Sequence, residues 1–478
     1  MKNKLVLLAV DFTLLLLAYG LGFALAETFR ISLHLAPGEY GLIDAPTGRH
    51  ISFALVVLGL VFWLGIVQGH YLRRSPFWAV LRDIFVAVCF AALCDAAIMY
   101  MMKLPFARLA WALGWIGTLA LLPIGRRIAV ALLIKLDWWQ RPVFMVGNGE
   151  NALAAWRAIE SDPFMGYRIC QIARLPEKPL LEELADLAAI RNVTTSTGVA
   201  GVQGFISLYP QARVVIALES EDMLTQAAMI SSLSRLNTEL IIVPSLKGLP
   251  LYGTEPLFFF SHEILLLQVR NNLARWFPIR IKRLFDLLVS TMGLIAIAPF
   301  FIWIVLRIRA DGGPAIYQHQ RVGQGGKAFG CYKFRTMVID SEQVLEELLQ
   351  RDQGASTEWA RDFKLKNDPR ITRIGEFLRK TSLDELPQLL NVIKGEMSLV
   401  GPRPIIQEEV SRYGDNAHFY FEAKPGITGL WQVSGRNDIG YSRRVMLDTW
   451  YVQNWSLWHD IIIIFKTLPV VWKGDGAY

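Results

Sequence analysis

Cysteine is scarce in this chain, four residues among 478. Cys89 and Cys94 share one apolar segment while Cys170 and Cys331 stand apart, so the spacing offers neither a disulfide framework nor a cysteine-based metal site. Charge is also thin, at 19% of residues against 53% hydrophobic, and the mean hydropathy is +0.33. That balance excludes a wholly soluble protein and indicates an integral membrane protein with room for two or three domains, some of them aqueous. A formal net charge of +7 is modest for the length and suits anionic lipid headgroups or a diphosphate substrate; a nucleic-acid partner is not expected. The first apolar run is not followed by a small-residue cleavage site, so it is expected to anchor the chain rather than be removed.

What is abundant is long apolar sequence. Four stretches, from Leu5 to Ala26, Ile51 to Gln68, Ile84 to Met102 and Leu109 to Gly125, approach the length of a membrane span. Asp11 and Asp95 interrupt the first and third, and acids in a bilayer are expected to pair across helices. Lys2, Lys4, Arg73, Arg74, Arg82, Arg126, Arg127 and Lys135 fall where the positive-inside rule places cytoplasmic ends, with Lys103 and Arg108 a minor exception. Residues 1–140 therefore read as a four-helix transmembrane domain that returns the chain to the cytoplasm.

Beyond Arg141 the pattern alternates between strand and helix. Pro142–Val146 reads as a buried strand, Asn151–Ile159 as a helix, Tyr167–Ile172 as a strand, Arg213–Ala217 as another, Glu221–Ser234 as a helix and Glu239–Val243 as a strand. This order predicts a small Rossmann-like cytoplasmic domain over 141–268. Gly147, Gly149 and Ala152 match G-x-G-x-x-A after a strand, a turn that lets backbone amides approach a phosphate. No acid stands about twenty residues on to hold a ribose, so a purely structural turn is the stronger reading and a nucleotide site the weaker.

A fifth apolar run, Leu284–Leu306, has Lys282 and Arg283 before it and Arg307 and Arg309 after it. Basic flanks at both ends argue against a simple crossing, and Pro299 within the run removes a helical hydrogen bond and bends the axis. A re-entrant membrane helix hairpin over 269–310 is the expectation, with a kinked spanning helix as the alternative.

The chemistry concentrates between Thr381 and Pro404, where Asp384 and Glu385 lie inside an apolar run that ends in Gly401-Pro402-Arg403-Pro404. Ser382 to Glu385 fits a capping box at a helix start. The same placement would lower the proton affinity of Asp384 and keep it ionised as a nucleophile. Attack on a pyrophosphate needs its charge neutralised by guanidinium donors and a divalent cation. Glu385 is the natural ligand for magnesium, or manganese in its place, since that ion needs few carboxylates beside water and phosphate.

These blocks, with Lys333-Phe334-Arg335-Thr336-Met337, Pro425-Gly426-Ile427-Thr428-Gly429 and Gly435-Arg436-Asn437, closely resemble the bacterial sugar transferase family, the monotopic phosphoglycosyl transferases. The match is dense from Pro278 to Tyr478 and architectural elsewhere, and it points to the larger subfamily that uses undecaprenyl phosphate with UDP-galactose or UDP-glucose. The resemblance implies an α/β catalytic domain over 311–478 whose Asp384 attacks the β-phosphate of a UDP-sugar, releasing UMP, before polyprenyl phosphate displaces the aspartate. It further implies that Lys333, Arg335, Arg379, Arg403 and Arg436 line the phosphate site, that Asp460 supports the metal or an arginine, and that Pro299 is the hinge of the re-entrant helix. The family often carries Ser before that proline, whereas Ala298 stands here. The resemblance places the protein in a bacterial inner membrane, with its soluble parts in the cytoplasm. A homodimer is left open on general grounds. Two other classes stay in view: a membrane-anchored nucleotide-sugar sensor, and a NAD-dependent enzyme acting on nucleotide sugars, which the missing ribose acid and Tyr-x-x-x-Lys pair disfavour.

Overall fold

The computed structural model describes residues 2–32, 42, 45–104, 107–176, 178–199, 201–235, 239–246, 249, 254–258, 265–268, 272–353, 356, 365, 368–435 and 440–473. The chain divides into two compact units, Met1–Lys247 and Gly248–Tyr478.

The first unit opens with four apolar helices: α1 (Lys2–Ser32), α2 (Thr47–Phe62, prolonged by a π-helical turn), α3 (Phe77–Met101) and α4 (Arg108–Lys135). Each is long and apolar enough to cross a membrane; the 31 residues of α1 extend about 46 Å against a ~30 Å hydrocarbon core. They share a core that includes Leu15, Val57, Leu60, Ile84, Val88, Trp115 and Leu122. A side chain on Gly22 would meet the backbone of Ala110 and Gly114 at 2.7 Å, so the bare glycine lets α1 and α4 approach closely.

Both intramembrane acids are paired across helices. Arg126 donates to the two oxygens of Asp11 at 2.8 and 2.5 Å, and the Tyr71 hydroxyl joins them at 2.5 Å. Arg49 donates to Asp95 at 2.7 and 3.0 Å, with the Trp115 indole at 3.0 Å. The first pair corrects the expected end of the fourth run at Gly125: α4 continues to Lys135, and Arg126 is buried inside the helix instead of flanking it because Asp11 meets its charge.

After the helices come β1 (Arg141–Val146), α5 (Glu150–Ser161), β2 (Tyr167–Arg174), α6 (Glu182–Ile190), β3 (Thr194–Thr197), α7 (Val202–Leu208), β4 (Arg213–Ile216), α8 (Ser220–Thr225), α9 (Ala227–Ser234) and β5 (Leu240–Ile242). The five strands pair in parallel in the order β3-β2-β1-β4-β5. The order reverses between β1 and β4, the crevice where α/β sheets of this type receive ligands. Helices cover both faces of β1, one core holding Met145, Trp156 and Leu184 and the other Phe144, Phe205 and Leu233, which explains why β1 is apolar from Pro142 to Val146. The expected helix Glu221–Ser234 is interrupted at Gln226. Strand β3, with α6 and α7, had no counterpart in the sequence reading; Thr-Thr-Ser-Thr at a sheet edge carries no apolar alternation.

The second unit, and not the Rossmann-like domain expected to run to residue 268, holds the antiparallel hairpin of β6 (Glu255–Phe258) and β7 (Leu265–Gln268). Next comes α10 (Trp276–Arg309), 34 residues with Pro299 inside and no turn interrupting it. The antiparallel pair β8 (Ile316–Val322) and β9 (Ala328–Phe334) follows, then α11 (Ser341–Arg351), α12 (Arg373–Lys380) and α13 (Gln388–Lys394). The unit closes with β10 (Ser398–Val400), α14 (Ala417–Glu422), β11 (Gly426–Thr428), which pairs in parallel with β10, α15 (Tyr441–Gln453) and α16 (Leu457–Lys473).

Helix α10 is held at both ends and largely bare between, Ser290 being buried. Near its start Lys282 donates to Asp460 at 2.6 Å, and Asp286 accepts from the Ser398 hydroxyl and the Leu399 amide at 2.8 and 3.1 Å. Near its end Ile304 and Ile308 pack with Phe334 and Leu378. Leu284, Leu288, Met292, Ile295, Ile302 and Leu306 are exposed. Only 11% of its most apolar window is buried, a surface that water would not tolerate and lipid would cover.

Candidate active site

Asp384 and Glu385 lie on a tight 3₁₀ turn, Leu383–Glu385, between α12 and α13. Ser382 ends α12 in the left-handed region, φ 55°, and Pro387 then opens α13, where its missing N–H costs no helical hydrogen bond. The capping-box reading is corrected here: the Ser382 side chain makes no cap hydrogen bond, and Glu385 accepts from Lys333 at 2.9 Å. Where a lowered proton affinity is expected for Asp384, burial pushes its carboxyl pKa up, with the Lys333 ammonium as the principal opposing influence.

Lys333 is delivered by β9. Its ammonium donates to Asp384 at 3.3 Å and Glu385 at 2.9 Å, and the two carboxylates outweigh its own desolvation to raise its pKa. The register between strand and turn is fixed by Asn391 of α13. Its side chain accepts from the Tyr332 amide at 2.9 Å and donates to the Gly330 carbonyl at 2.8 Å, stapling α13 to β9. Tyr317 is the cross-strand partner of Lys333, and its hydroxyl lies in the field of Lys333, Asp384 and Arg379. Neither Tyr317 nor Asn391 was singled out by sequence; a strand partner becomes visible only once the β8–β9 register is known.

The basic residues divide. Arg379 donates from Nε to the Thr336 hydroxyl at 2.9 Å and acts on Asp384. Arg403 is exposed, 5.7 Å from the Trp431 ring, and with Arg321, Lys333 and Glu385 it bears on the Cys331 thiol. Arg335 points elsewhere: it donates to the carbonyls of Ile308 and Pro314 and to the Asp311 carboxylate, fastening the end of α10 to β9. Arg436 lies outside the described residues.

Asp460 is met by a lysine and not by the arginine that the resemblance allows for it. It is fully buried and receives Lys282 at 2.6 Å, the Tyr451 hydroxyl at 2.7 Å and the Trp455 indole at 3.1 Å. Burial raises its pKa and Lys282 opposes the rise. Its role is to anchor the first turns of α10, and Lys282, read from sequence only as a flanking charge, is its counter-ion. Pro299 sits in the bare stretch of that helix.

The glycine turn of the first unit is formed but already filled. Gly147 has φ 158°, and a side chain there would strike the Ala217 carbonyl at 2.3 Å. Beyond Gly149, the Asn151 amide at the start of α5 donates to the Glu219 carboxylate at 2.7 Å. Glu219 follows β4 directly and occupies the place where a phosphate would meet the helix amides. The signal was in the sequence, an acid just after the fourth strand, but its reach into the turn depends on β4 lying beside β1.

Among the described residues no three His, Cys, Asp or Glu side chains gather in metal-binding geometry. The Asp384–Glu385 pair nevertheless fits magnesium, which needs only one or two carboxylates when water and substrate phosphate complete its shell.

An adjacent aspartate and glutamate, half-buried and backed by lysine and arginine, lie in a unit whose long helix α10 is apolar and largely uncovered. Residues 277–474 match the family model for bacterial sugar transferases. The chain is 44% identical to the undecaprenyl-phosphate galactose phosphotransferase of Salmonella typhimurium over 91% of its own length and 89% of the relative's. It is 40% identical to the UDP-galactose-lipid carrier transferase of Erwinia amylovora over 98% and 99%. The exopolysaccharide production protein ExoY of Rhizobium meliloti shares 50% identity across 41% of this chain and 88% of itself. The chain belongs to the bacterial sugar transferase family and is an enzyme of that class.

Proposed function

We propose that this enzyme transfers a sugar 1-phosphate, galactose 1-phosphate in the first instance, from a UDP-sugar to undecaprenyl phosphate, releasing UMP and starting O-antigen, capsule or exopolysaccharide synthesis. The supporting observation is the Lys333–Asp384–Glu385 cluster. An Asp384 oxygen attacks the β-phosphorus; the bond from that phosphorus to the oxygen bridging the α-phosphate breaks, and UMP leaves with the electron pair. An oxygen of undecaprenyl phosphate then attacks the same phosphorus, and the aspartyl–phosphorus bond breaks to restore the carboxylate. Lys333 lowers the proton affinity that burial gives Asp384, keeping more of it ionised. Arg379 and Arg403, with Arg436, supply positive charge toward the phosphates. Glu385 with Asp384 would hold magnesium, which when bound neutralises charge on the pyrophosphate. Galactose is favoured by the names of the full-length relatives; UDP-glucose is the alternative donor, since a relative matched over 48% of this chain is named as an undecaprenyl-phosphate glucose phosphotransferase.

The membrane arrangement follows the same reading. Helices α1–α4 cross the inner membrane as a bundle with the soluble parts in the cytoplasm. Helix α10 dips into one leaflet and returns, which is supported by the attachment of both its ends to the same compact unit and by Pro299 in its bare stretch. The sensor alternative loses support from Glu219, whose carboxylate already takes the Asn151 amide at the glycine turn.

Purified full-length protein with magnesium is tested for UMP release from UDP-galactose and UDP-glucose, with and without undecaprenyl phosphate. UMP together with a sugar-labelled lipid supports the reading and fixes the donor; no release with either sugar defeats it.

A further inference from the structure

The junction between the membrane helices and the α/β sheet of the first unit carries a second basic cluster, remote in sequence from the transferase motifs. Arg74 comes from the α2–α3 connection, Arg141 opens β1 and Arg213 opens β4, the two neighbouring central strands. The Arg74 guanidinium lies 3.2 Å from the centre of the Trp139 ring and donates to the Trp139 carbonyl at 3.3 Å. Nη1 of Arg74 and Nε of Arg141 are buried without a hydrogen-bond partner. The Tyr167 side chain stands in the field of all three arginines. Among the described residues, the carboxylate acting on the group is that of Glu239, which lies 2.5 Å from Arg213 and is itself 62% exposed.

Three guanidinium groups against one acid leave two positive charges uncompensated at a partly desolvated spot. The strain is visible in Arg74, whose pKa burial and the other two arginines push down to about 9, and in Arg141, displaced the same way by burial and Arg213. Unsatisfied buried N–H donors are rare and costly, and arginine forks match phosphate oxygens in pairs. The surroundings point to a particular phosphate. Leu136 and Trp138, at the foot of α4, are 57% and 50% exposed, and Leu72 beside Arg74 is 56% exposed, an apolar and aromatic rim of the kind found at headgroup level.

We propose that Arg74, Arg141 and Arg213 form a binding site for the phosphate of an acidic phospholipid headgroup, locking the foot of the α1–α4 helices to the sheet. The inference rests on α1–α4 being membrane helices and not on the transferase mechanism.

The test uses full-length protein in detergent, with its melting temperature followed as phosphatidylglycerol, phosphatidylcholine or inorganic phosphate is added. Phosphatidylglycerol should raise the melting temperature of the wild type and phosphatidylcholine should not. Arg141→Gln and Arg74→Lys should each need roughly tenfold or more phosphatidylglycerol for the same shift, from the loss of charge-assisted hydrogen bonds. Arg74→Lys keeps the charge and stem, so it guards against a variant that merely fails to fold. Native mass spectrometry of the wild type should show retained acidic lipid. An equal shift from submillimolar inorganic phosphate would overturn the lipid assignment in favour of a soluble anion. No shift with phosphatidylglycerol, or one undiminished in both variants, overturns the site.

Discussion

The ammonium of Lys333 lies 2.9 Å from the Glu385 carboxylate and reaches Asp384 at 3.3 Å, so one strand residue holds both acids of the turn. Burial raises the pKa of Asp384 and Lys333 lowers it. A nucleophilic carboxylate must be ionised, so the rate rises with pH through that pKa. Lys333→Met removes the opposing charge: the acid limb of kcat/KM against pH should move to higher pH, and the plateau should fall about 10²-fold, as when a donor at a developing charge is lost. An unmoved acid limb would show that Lys333 does not control Asp384.

The Lys282–Asp460 pair is buried, with side-chain exposures of 11% and 1%. Lys282→Met leaves a buried carboxylate without its counter-ion and should cost about 3–5 kcal/mol of stability. The double variant Lys282→Met with Asp460→Asn removes both charges and should recover most of that loss. Thermal denaturation of the three proteins decides; a double variant no more stable than the single one contradicts the pairing.

Much of this architecture is written in local pattern. Four apolar runs gave four helices because length and hydropathy are local, and β1 and β4 were legible because each is continuously apolar after its opening arginine. The Asp384–Glu385 pair stood out for the opposite reason, being acid within an apolar run. What escaped were pairings made by distant parts of the chain. Asp11 finds Arg126, Glu219 fills the turn at Gly149, and Arg335 turns to Asp311; no spacing rule encodes these. Ser382 misled because its sequence context fits a cap, while its backbone adopts φ 55° and its side chain makes no cap bond.

Glu219 caps α5 from outside the helix, so Glu219→Ala should cost about 1 kcal/mol, in the range of lost caps. In the wild type, UDP-sugar and NAD should leave amide hydrogen exchange across 147–151 unchanged, because the Asn151 amide is already engaged. Ligand-dependent protection of those amides would restore the nucleotide-site reading.

Re-entry of α10 is checked by single cysteines at Arg280→Cys and Ala310→Cys in a chain whose four native cysteines are replaced. A membrane-impermeant thiol reagent should reach both from the same face. Labelling from opposite faces would establish a crossing helix and place one end of α10 across the bilayer from the other.

The most direct measurement is the intact mass of the enzyme after brief exposure to UDP-galactose and magnesium without undecaprenyl phosphate. A covalent aspartyl intermediate predicts a mass increase of one hexose phosphate on the wild type, mapped by proteolysis to Asp384, lost on adding undecaprenyl phosphate and absent from Asp384→Asn. Product formation by the wild type with no adduct under any condition, or an adduct that persists in Asp384→Asn, would contradict Asp384 as the nucleophile.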